Sequence, residues 1–239
     1  MSPSVGMAVL HLFGHPAAEF DGQVVISAVK DAQGRGVQVV SVSMLGHKAD
    51  VAFMAVASDM RELRTFQTAV QTAGVFITDS YVSITELSEY AANVPEEMKT
   101  ARLYPQLPPA GKNAWCFYPM SKRRDPENNW FTLPFEKRSE LMAEHGKSGR
   151  AFAGRVIQLV TASAGFDDFE WGVTLFAVSP DDLKDVVYTM RFDEASAVYA
   201  EFGAFYVGMV TPVEELVASL YLLAFALFAK ELFYFIHQG

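Results

Sequence analysis

The sequence has one cysteine, few histidines and a shortage of positive charge. The lone Cys116 excludes a disulfide within the chain and predicts a reducing compartment, the cytoplasm. Lysine and arginine total 19 against 28 acidic residues, which gives a net charge of −9. Because a duplex-binding protein normally presents a basic face, this balance argues against nucleic acid as a partner.

The two chain ends lack ordinary targeting signals. Residues Met1–Val9 lack the basic start and long apolar core of a secretion signal. The run Leu216–Ile236 is almost wholly apolar and approaches the length of a membrane span, but Lys230 and Glu231 interrupt it. We therefore expect a helix packed on the body or on a neighbouring subunit, with membrane contact as the alternative.

What the chain has is a large apolar fraction and an internal repeat. Hydrophobic residues make up 51% of the sequence and aromatic residues 13%, which is ample for a sizeable core. The first half predicts a helix, two strands, a helix and a β-rich run over Ala17–Gln33, Val37–Leu45, Val51–Ala57, Met60–Ala73 and Val75–Leu87. The second half repeats the order over Pro134–Gly149, Arg155–Ser163, Phe169–Val178, a helix that Ser179 caps and that runs to about Met190, and Phe202–Val210.

This repeat predicts an α+β fold of two tandem ferredoxin-like units that pair their sheets. The connection between the two units is predicted in the proline- and glycine-containing stretch Pro105–Gly111. The predicted division is an N-terminal unit over 1–104, a C-terminal unit over 112–210 and an apolar tail over 211–239.

The residues that could carry chemistry lie in the second half. Tyr118 sits near the end of an apolar strand and is followed by three adjacent cations, Lys122–Arg124. Strand alternation sends Lys122 to the same side as Tyr118. With Arg102 and Arg150 as further cations, this pattern suits an anionic polycarboxylate, although phosphate is equally compatible with charge alone. Most tyrosines are simply buried rings with a hydrogen-bonded hydroxyl, and that interpretation stays open here.

His145 is the candidate metal ligand. A predicted helix places it on one stripe with Leu141 and Met142, which directs the imidazole towards the interior. A core histidine satisfied by backbone groups is the more common outcome of such spacing. The sequence has no HExxH pair to indicate a zinc site. One histidine does suffice when four porphyrin nitrogens already hold an iron ion.

Several of these motifs together resemble the coproheme decarboxylases of the chlorite-dismutase-like superfamily. The resemblance is specific across about Arg102–Gly208, and the tail after Thr211 lies outside it. The motifs that carry it are Tyr118–Arg124, Asn129–Trp130, Leu141–Arg150, Asp167–Val173 and Met190–Gly203.

The resemblance implies a dimeric α+β barrel, commonly assembled into homopentamers. It also implies an enzyme of haem biosynthesis that uses hydrogen peroxide to convert two propionates of Fe-coproporphyrin III (coproheme) to vinyl groups, giving haem b. By the same resemblance His145 is the axial iron ligand and Tyr118 is the radical-forming catalytic residue. The implied substrate contacts are Arg102, Tyr118, Pro119, Met120, Ser121, Lys122, Arg150, Gln158 and Ser196.

Gln158 separates this interpretation from chlorite chemistry. Chlorite-converting members of the superfamily carry a distal arginine where this chain has an uncharged amide. An amide cannot stabilise an oxychlorine anion as a guanidinium does, which makes chlorite degradation the weaker hypothesis. A haem-binding or haem-transfer protein without catalysis is the other alternative, and a purely structural barrel is the remaining one.

Overall fold

The structure is a computed structural model that describes residues 1–91 and 94–221. Its N-terminal half has the order βαββαβ, because strand-forming segments flank two helices whose first turns are capped by side chains. Asp21 and Asp59 accept hydrogen bonds from backbone N–H groups in the first turns of these helices. The elements are β1 (Ala8–Pro16), α1 (Gly22–Gly34), β2 (Gln38–Leu45), β3 (Val51–Ala57), α2 (Met60–Thr72) and β4 (Val75–Thr85).

The C-terminal half repeats this order after a short connecting helix. That connector is α3 (Glu96–Leu103), and a 3₁₀ turn (Trp130–Thr132) follows the first strand of the half. Ser179 caps the second long helix, as predicted. The elements are β5 (Ala114–Lys122), α4 (Phe135–Arg150), β6 (Val156–Ala162), β7 (Trp171–Ala177), α5 (Pro180–Met190), α6 (Glu194–Ala197), β8 (Ala200–Phe202) and β9 (Tyr206–Val210).

The strands of the two halves join in one closed barrel. Neighbours pair antiparallel in the order β7-β6-β4-β1-β3-β2-β9-β5, and β5 returns to β7 to close the ring, while β8 extends the far end of β5. The halves meet at the β2–β9 and β4–β6 pairs. The predicted tandem ferredoxin-like fold with an α+β barrel is therefore confirmed.

Alternation along the strands divides the core into layers. Trp115, Phe117 and Phe176 point into the barrel, where they pack with Phe13 and Tyr206. A second layer lies between the N-terminal strands and α1 and α2, and a third lies between the C-terminal strands and α5. The outer faces of the two halves are thus separate surfaces, each covered by its own helices.

Residues 213–221 form a helical segment that packs on the N-terminal half. Its buried residues Val213, Leu216, Val217 and Leu220 complete the N-terminal outer layer. The predicted apolar helix over Leu216–Ile236 otherwise lies outside the described residues. Within the described ranges, no helix is long and apolar enough to cross a membrane.

Four local features differ from the sequence prediction. Strand β1 was not predicted, because His11, Gly14 and His15 interrupt its apolar run. Helix α3 was also missed, because it buries none of its residues and shows no apolar stripe. Helix α1 begins at Gly22 rather than at residue 17, because Asp21 caps it.

The fourth difference is that the prediction of one strand over Phe202–Val210 was wrong. The structure has two strands separated by residues 203–205. Gly203 lies against Pro119 and Phe169 so closely that a Cβ atom would meet them at 2.6 and 2.8 Å. Phe205, in the same connection, faces the site described below.

Candidate functional site

Strand β5 fixes Tyr118 on the outer face of the C-terminal half. The phenol ring stacks on Phe205 at 4.4 Å between ring centroids and meets the edge of Phe202 at 5.7 Å. Only 8% of Tyr118 is exposed. Burial raises the pKa of the Tyr118 phenol well above its usual range. The ring is therefore held in one orientation, and its hydroxyl stays protonated.

His145 lies on helix α4, where a carboxylate holds its ring. The Nδ1–H group donates to Oδ2 of Asp193 at 3.1 Å, and the hydroxyl of Ser148 donates to Oδ1 of the same side chain at 2.8 Å. A carboxylate only accepts hydrogen bonds, which places the imidazole proton on Nδ1. Burial, and then the charge of Lys122, lower the pKa of His145, and Asp193 partly offsets both. The imidazole is therefore neutral, with Nε2 as its basic nitrogen.

Lys122 lies near His145 as a buried cation. Its Nζ donates to the carbonyl oxygen of Ala195 and stands 4.4 Å from the centroid of the Trp130 ring. Burial lowers the pKa of Lys122 to about 8, although Glu170 acts in the opposite direction. Lys122 shares the outer face of β5 with Tyr118, as the alternation predicted.

The structure brings some of the other predicted contacts to the same region. The hydroxyl of Ser196 lies 3.5 Å from Nδ1 of His145. Met120 packs in the same outer layer as Tyr118, and Ser121 accepts a hydrogen bond from the backbone of Glu170. Pro119 and Ser121 alternate with Tyr118 along β5, so their side chains lie on the opposite face of the strand, where Pro119 contacts Gly203.

Three predicted contacts lie at the periphery. Gln158 is exposed on β6 and shares the outer face with Tyr118. It pairs with Leu175 of β7, which also pairs with Cys116 of β5, two residues before Tyr118. Arg150 ends α4 with its guanidinium beside Gly146, and Arg102 lies in the last turn of α3. Both arginines are exposed, and neither is in hydrogen-bond contact with Tyr118 or His145.

The donor set at His145 fits an iron ion that a porphyrin supplies. Among the residues that the structure describes, no group of three His, Cys, Asp or Glu side chains could hold a bare metal ion. A single imidazole whose second nitrogen is hydrogen-bonded to a carboxylate is the usual axial ligand of a porphyrin-bound iron. The cation Lys122 adds a partner for a carboxylate close to that ligand.

Comparison with known proteins identifies the family. A family model described as chlorite dismutase matches residues 19–211. The chain belongs to the chlorite dismutase family. Two curated relatives are named coproheme decarboxylase, one from Staphylococcus saprophyticus at 46% identity and one from Staphylococcus carnosus at 45% identity. Each match spans 184 residues and covers 73% of this chain and 73% of the relative.

Several solved structures have the same fold. One is described as a novel heme-binding protein from Thermus thermophilus. It is 32% identical, has a TM-score of 0.80, and the match covers 90% of this chain and 95% of that chain. A mutant chlorite dismutase from Candidatus Nitrospira defluvii has a TM-score of 0.72 at 19% identity, over 91% of this chain and 97% of that chain. At that identity the likeness shows the fold alone.

In this chlorite dismutase family member, sequence reasoning missed part of the site. Asp193 is not among the predicted site residues, yet it accepts the Nδ1–H of His145. Arg138 and Tyr90, which are not among the predicted site residues, are hydrogen-bonded to each other. Sequence spacing could not reveal these contacts, since each joins residues 48 positions apart.

Proposed function

We propose that this chain is a coproheme decarboxylase of haem biosynthesis. It uses hydrogen peroxide to convert two propionates of Fe-coproporphyrin III to vinyl groups and releases haem b. The observation that carries the proposal is the placement of a buried phenol, a neutral histidine with a carboxylate partner and a buried lysine on one face of the C-terminal half. The names of the two staphylococcal relatives support the same activity.

The reaction balances as an oxidation by peroxide. Each propionate, with one proton and one hydrogen peroxide molecule, gives a vinyl group, carbon dioxide and two water molecules. The porphyrin-bound iron supplies the redox chemistry, and the protein supplies binding, orientation and electrostatics.

Each residue has a defined part in this proposal. His145 binds the iron through Nε2, and Asp193 keeps the proton on Nδ1. Lys122 would hold a propionate by charge. Loss of one electron and of the hydroxyl proton would convert Tyr118 to a phenoxyl radical, whose oxygen would take a hydrogen atom from the reacting propionate and so regenerate the hydroxyl. The ring contacts of Tyr118 with Phe202 and Phe205 matter because hydrogen-atom transfer over a short distance depends on geometry.

The remaining predicted contacts complete the proposed substrate site. We assign them to the rim of the porphyrin, as the family resemblance implies. Arg102 and Arg150 then serve as surface cations that attract an anionic substrate to an acidic protein. The full proposed set of substrate contacts is Arg102, Tyr118, Pro119, Met120, Ser121, Lys122, Arg150, Gln158 and Ser196.

The domain boundaries, location and assembly are also proposals. The two βαββαβ halves support the proposed units over 1–104 and 112–210, and the proposed tail over 211–239 rests on its apolar composition. A cytoplasmic location rests on the single cysteine. A homopentamer rests on the family resemblance, and light scattering of the purified full chain tests it.

One experiment tests the activity directly. Purified protein is mixed with coproheme and hydrogen peroxide, and the porphyrin products are identified by mass. We expect loss of carbon dioxide from two propionates and formation of haem b. Tyr118→Phe should bind coproheme but form no haem b, and normal turnover by that variant would contradict the proposal.

A haem-binding protein without catalysis is the second candidate. The observation that favours it is the 32% identical structure described as a heme-binding protein. In that case coproheme would bind to His145, and peroxide would release no carbon dioxide from the complex. The mass measurement separates the two functions.

A further inference from the structure

The phenol of Tyr118 is covered on one face by a ring from an irregular segment. Phe205 stacks on it with 4.4 Å between centroids and 21° between ring planes. Phe205 belongs to the connection 203–205 between β8 and β9. Gly203 begins that connection, and its N–H donates to the carbonyl oxygen of Pro119 at 2.9 Å. The position of the Phe205 ring therefore depends on what holds the rest of this connection.

A side chain from the N-terminal half holds the connection at Phe205. The Lys48 ammonium group donates to the carbonyl oxygen of Phe205 at 2.6 Å and lies 5.4 Å from the centroid of the Tyr206 ring. Across the residues that the structure describes, this is the sole hydrogen bond that the backbone of Phe205 makes. Lys48 is thus the main polar restraint on the residue that covers the phenol.

Strand register brings Lys48 to this point. Leu45, the last residue of β2, pairs with Val207 of β9. The two strands are antiparallel, so the residues after Leu45 run beside those before Val207 and reach Phe205. Ala49, the next residue after Lys48, is buried in the barrel core and anchors the β2–β3 connection. The ammonium group therefore extends from an anchored turn.

We propose that Lys48 is a positioning residue for Tyr118, which holds the 203–205 connection so that Phe205 keeps the phenol in the orientation from which its hydroxyl reacts. The inference rests on the proposed function, since the orientation affects a rate only if the hydroxyl reacts. The effect of Lys48 passes through the backbone of Phe205. Hydrogen-atom transfer over a short distance depends on geometry, so a looser ring reacts more slowly.

Single-turnover kinetics test the effect on reaction. The full chain is loaded with coproheme, hydrogen peroxide is added, and the rate of the first decarboxylation is measured. Lys48→Met keeps the apolar stem but removes the donor, and we expect a rate about 3- to 10-fold lower and a dissociation constant for coproheme changed by less than about twofold. Phe205→Leu removes the stacked ring and should lower the rate by about 10- to 100-fold.

Fluorine NMR of the chain without coproheme tests the orientation itself. The tyrosines are replaced by 3-fluorotyrosine, and the Tyr118 signals are identified by their loss in Tyr118→Phe. A ring held in place gives a separate signal for each edge that can carry the fluorine. We expect Lys48→Met to speed the exchange between these signals by about 3- to 10-fold, since the lost hydrogen bond no longer holds Phe205.

Two further variants separate positioning from general damage. Lys48→Arg keeps a charged donor and should restore most of the rate and the slow ring exchange. Lys30→Met is the matched control, because Lys30 is an exposed lysine of the N-terminal half that pairs with Glu214. It should leave the rate, the binding and the Tyr118 signals as they are in the wild type.

Three results would overturn the inference. These are unchanged Tyr118 signals in Lys48→Met, an unchanged rate of decarboxylation in that variant, or a loss of coproheme affinity as large as the loss of rate. The last result would make Lys48 a substrate contact instead of a positioning residue. If the wild-type chain forms no haem b, the proposed function itself fails, and that outcome is distinct from a failure confined to Lys48.

Discussion

The two halves share one topology, but their outer faces carry different kinds of side chain. In the N-terminal half, α1, α2 and residues 213–221 bury a continuous layer of apolar side chains against the sheet. In the C-terminal half, Leu141 is the one fully buried residue of the 16-residue helix α4. Its half-buried positions include His145, which faces polar groups instead of an apolar core.

The fit around Gly22 shows how tightly the N-terminal face is closed. The Gly22 N–H donates to the Tyr221 hydroxyl at 2.7 Å, and Val217 lies where a side chain on Gly22 would begin. An ion pair between Lys30 and Glu214 adds a contact at the surface. One copy of the duplicated fold thus contributes packing, and the other carries the polar groups of the proposed site.

The largest expected effect is on chemistry in the C-terminal half. Tyr118→Phe should reduce haem b formation to background, because the reacting hydroxyl is removed while the ring contacts remain. The thermal midpoint should be nearly unchanged. The matched control is Tyr81→Phe in the barrel, where the Tyr81 hydroxyl bonds to Ser163; it should lower stability and leave product formation intact. The reverse pattern would contradict the assignment.

The barrel interior between the halves should respond strongly to acid. His11 is fully buried, and burial lowers its pKa from 6.5 to about 3. The unfolded chain therefore binds a proton below pH 6.5 that the folded chain does not bind. Stability should fall by about 1.4 kcal/mol per pH unit from pH 6.5 towards pH 3, or about 5 kcal/mol in total.

Urea unfolding between pH 7 and pH 4 measures this dependence. His11→Leu should be less stable at pH 7, since Thr174 loses its hydrogen-bond partner, but its stability should depend less on pH. An equally steep pH dependence in that variant would show that other groups cause the acid sensitivity.

A smaller effect is expected where the tail closes the N-terminal face. A methyl group on Gly22 would lie 2.1 Å from Cγ1 of Val217, so Gly22→Ala should cost about 1–3 kcal/mol of unfolding free energy. Coproheme binding should not change. Gly34→Ala, at the other end of α1, meets open space and is the control. Equal stability of the two variants would show that residues 213–221 do not pack as described.

The smallest expected effect concerns Lys122 in the C-terminal half. Its pKa of about 8 means that the site loses a positive charge as the pH rises. The dissociation constant of coproheme should therefore increase above pH 8, by at most about tenfold per pH unit. Lys122→Arg stays charged and should remove this step. A step that persists in the arginine variant would assign it to another group.

The sequence predicted those elements whose patterns are local. Strand β2 alternates at its start, strands β3 and β7 are apolar runs next to turn residues, and helix α2 has a side-chain cap, so a short window contains each signal. In strand β1 the residues His11, Gly14 and His15 interrupt the apolar run, and helix α3 buries none of its residues.

The site residues also divide into those with a local sequence signal and those without one. Tyr118 and Lys122 were grouped from strand alternation alone, while the partners of His145 and Arg138 come from distant segments. Asp193 follows α5 and Tyr90 follows β4, so only the folded chain brings them to α4. The roles of the predicted residues came from a family resemblance, which spacing could not have supplied.

Hydrogen exchange across the chain, with and without coproheme, tests the central comparison most directly. We predict new protection in β5, in α4 around His145 and in residues 193–196, with little change in α1 and α2. Protection concentrated in α1 and α2, with α4 unchanged, would contradict the assignment of the ligand to the C-terminal face.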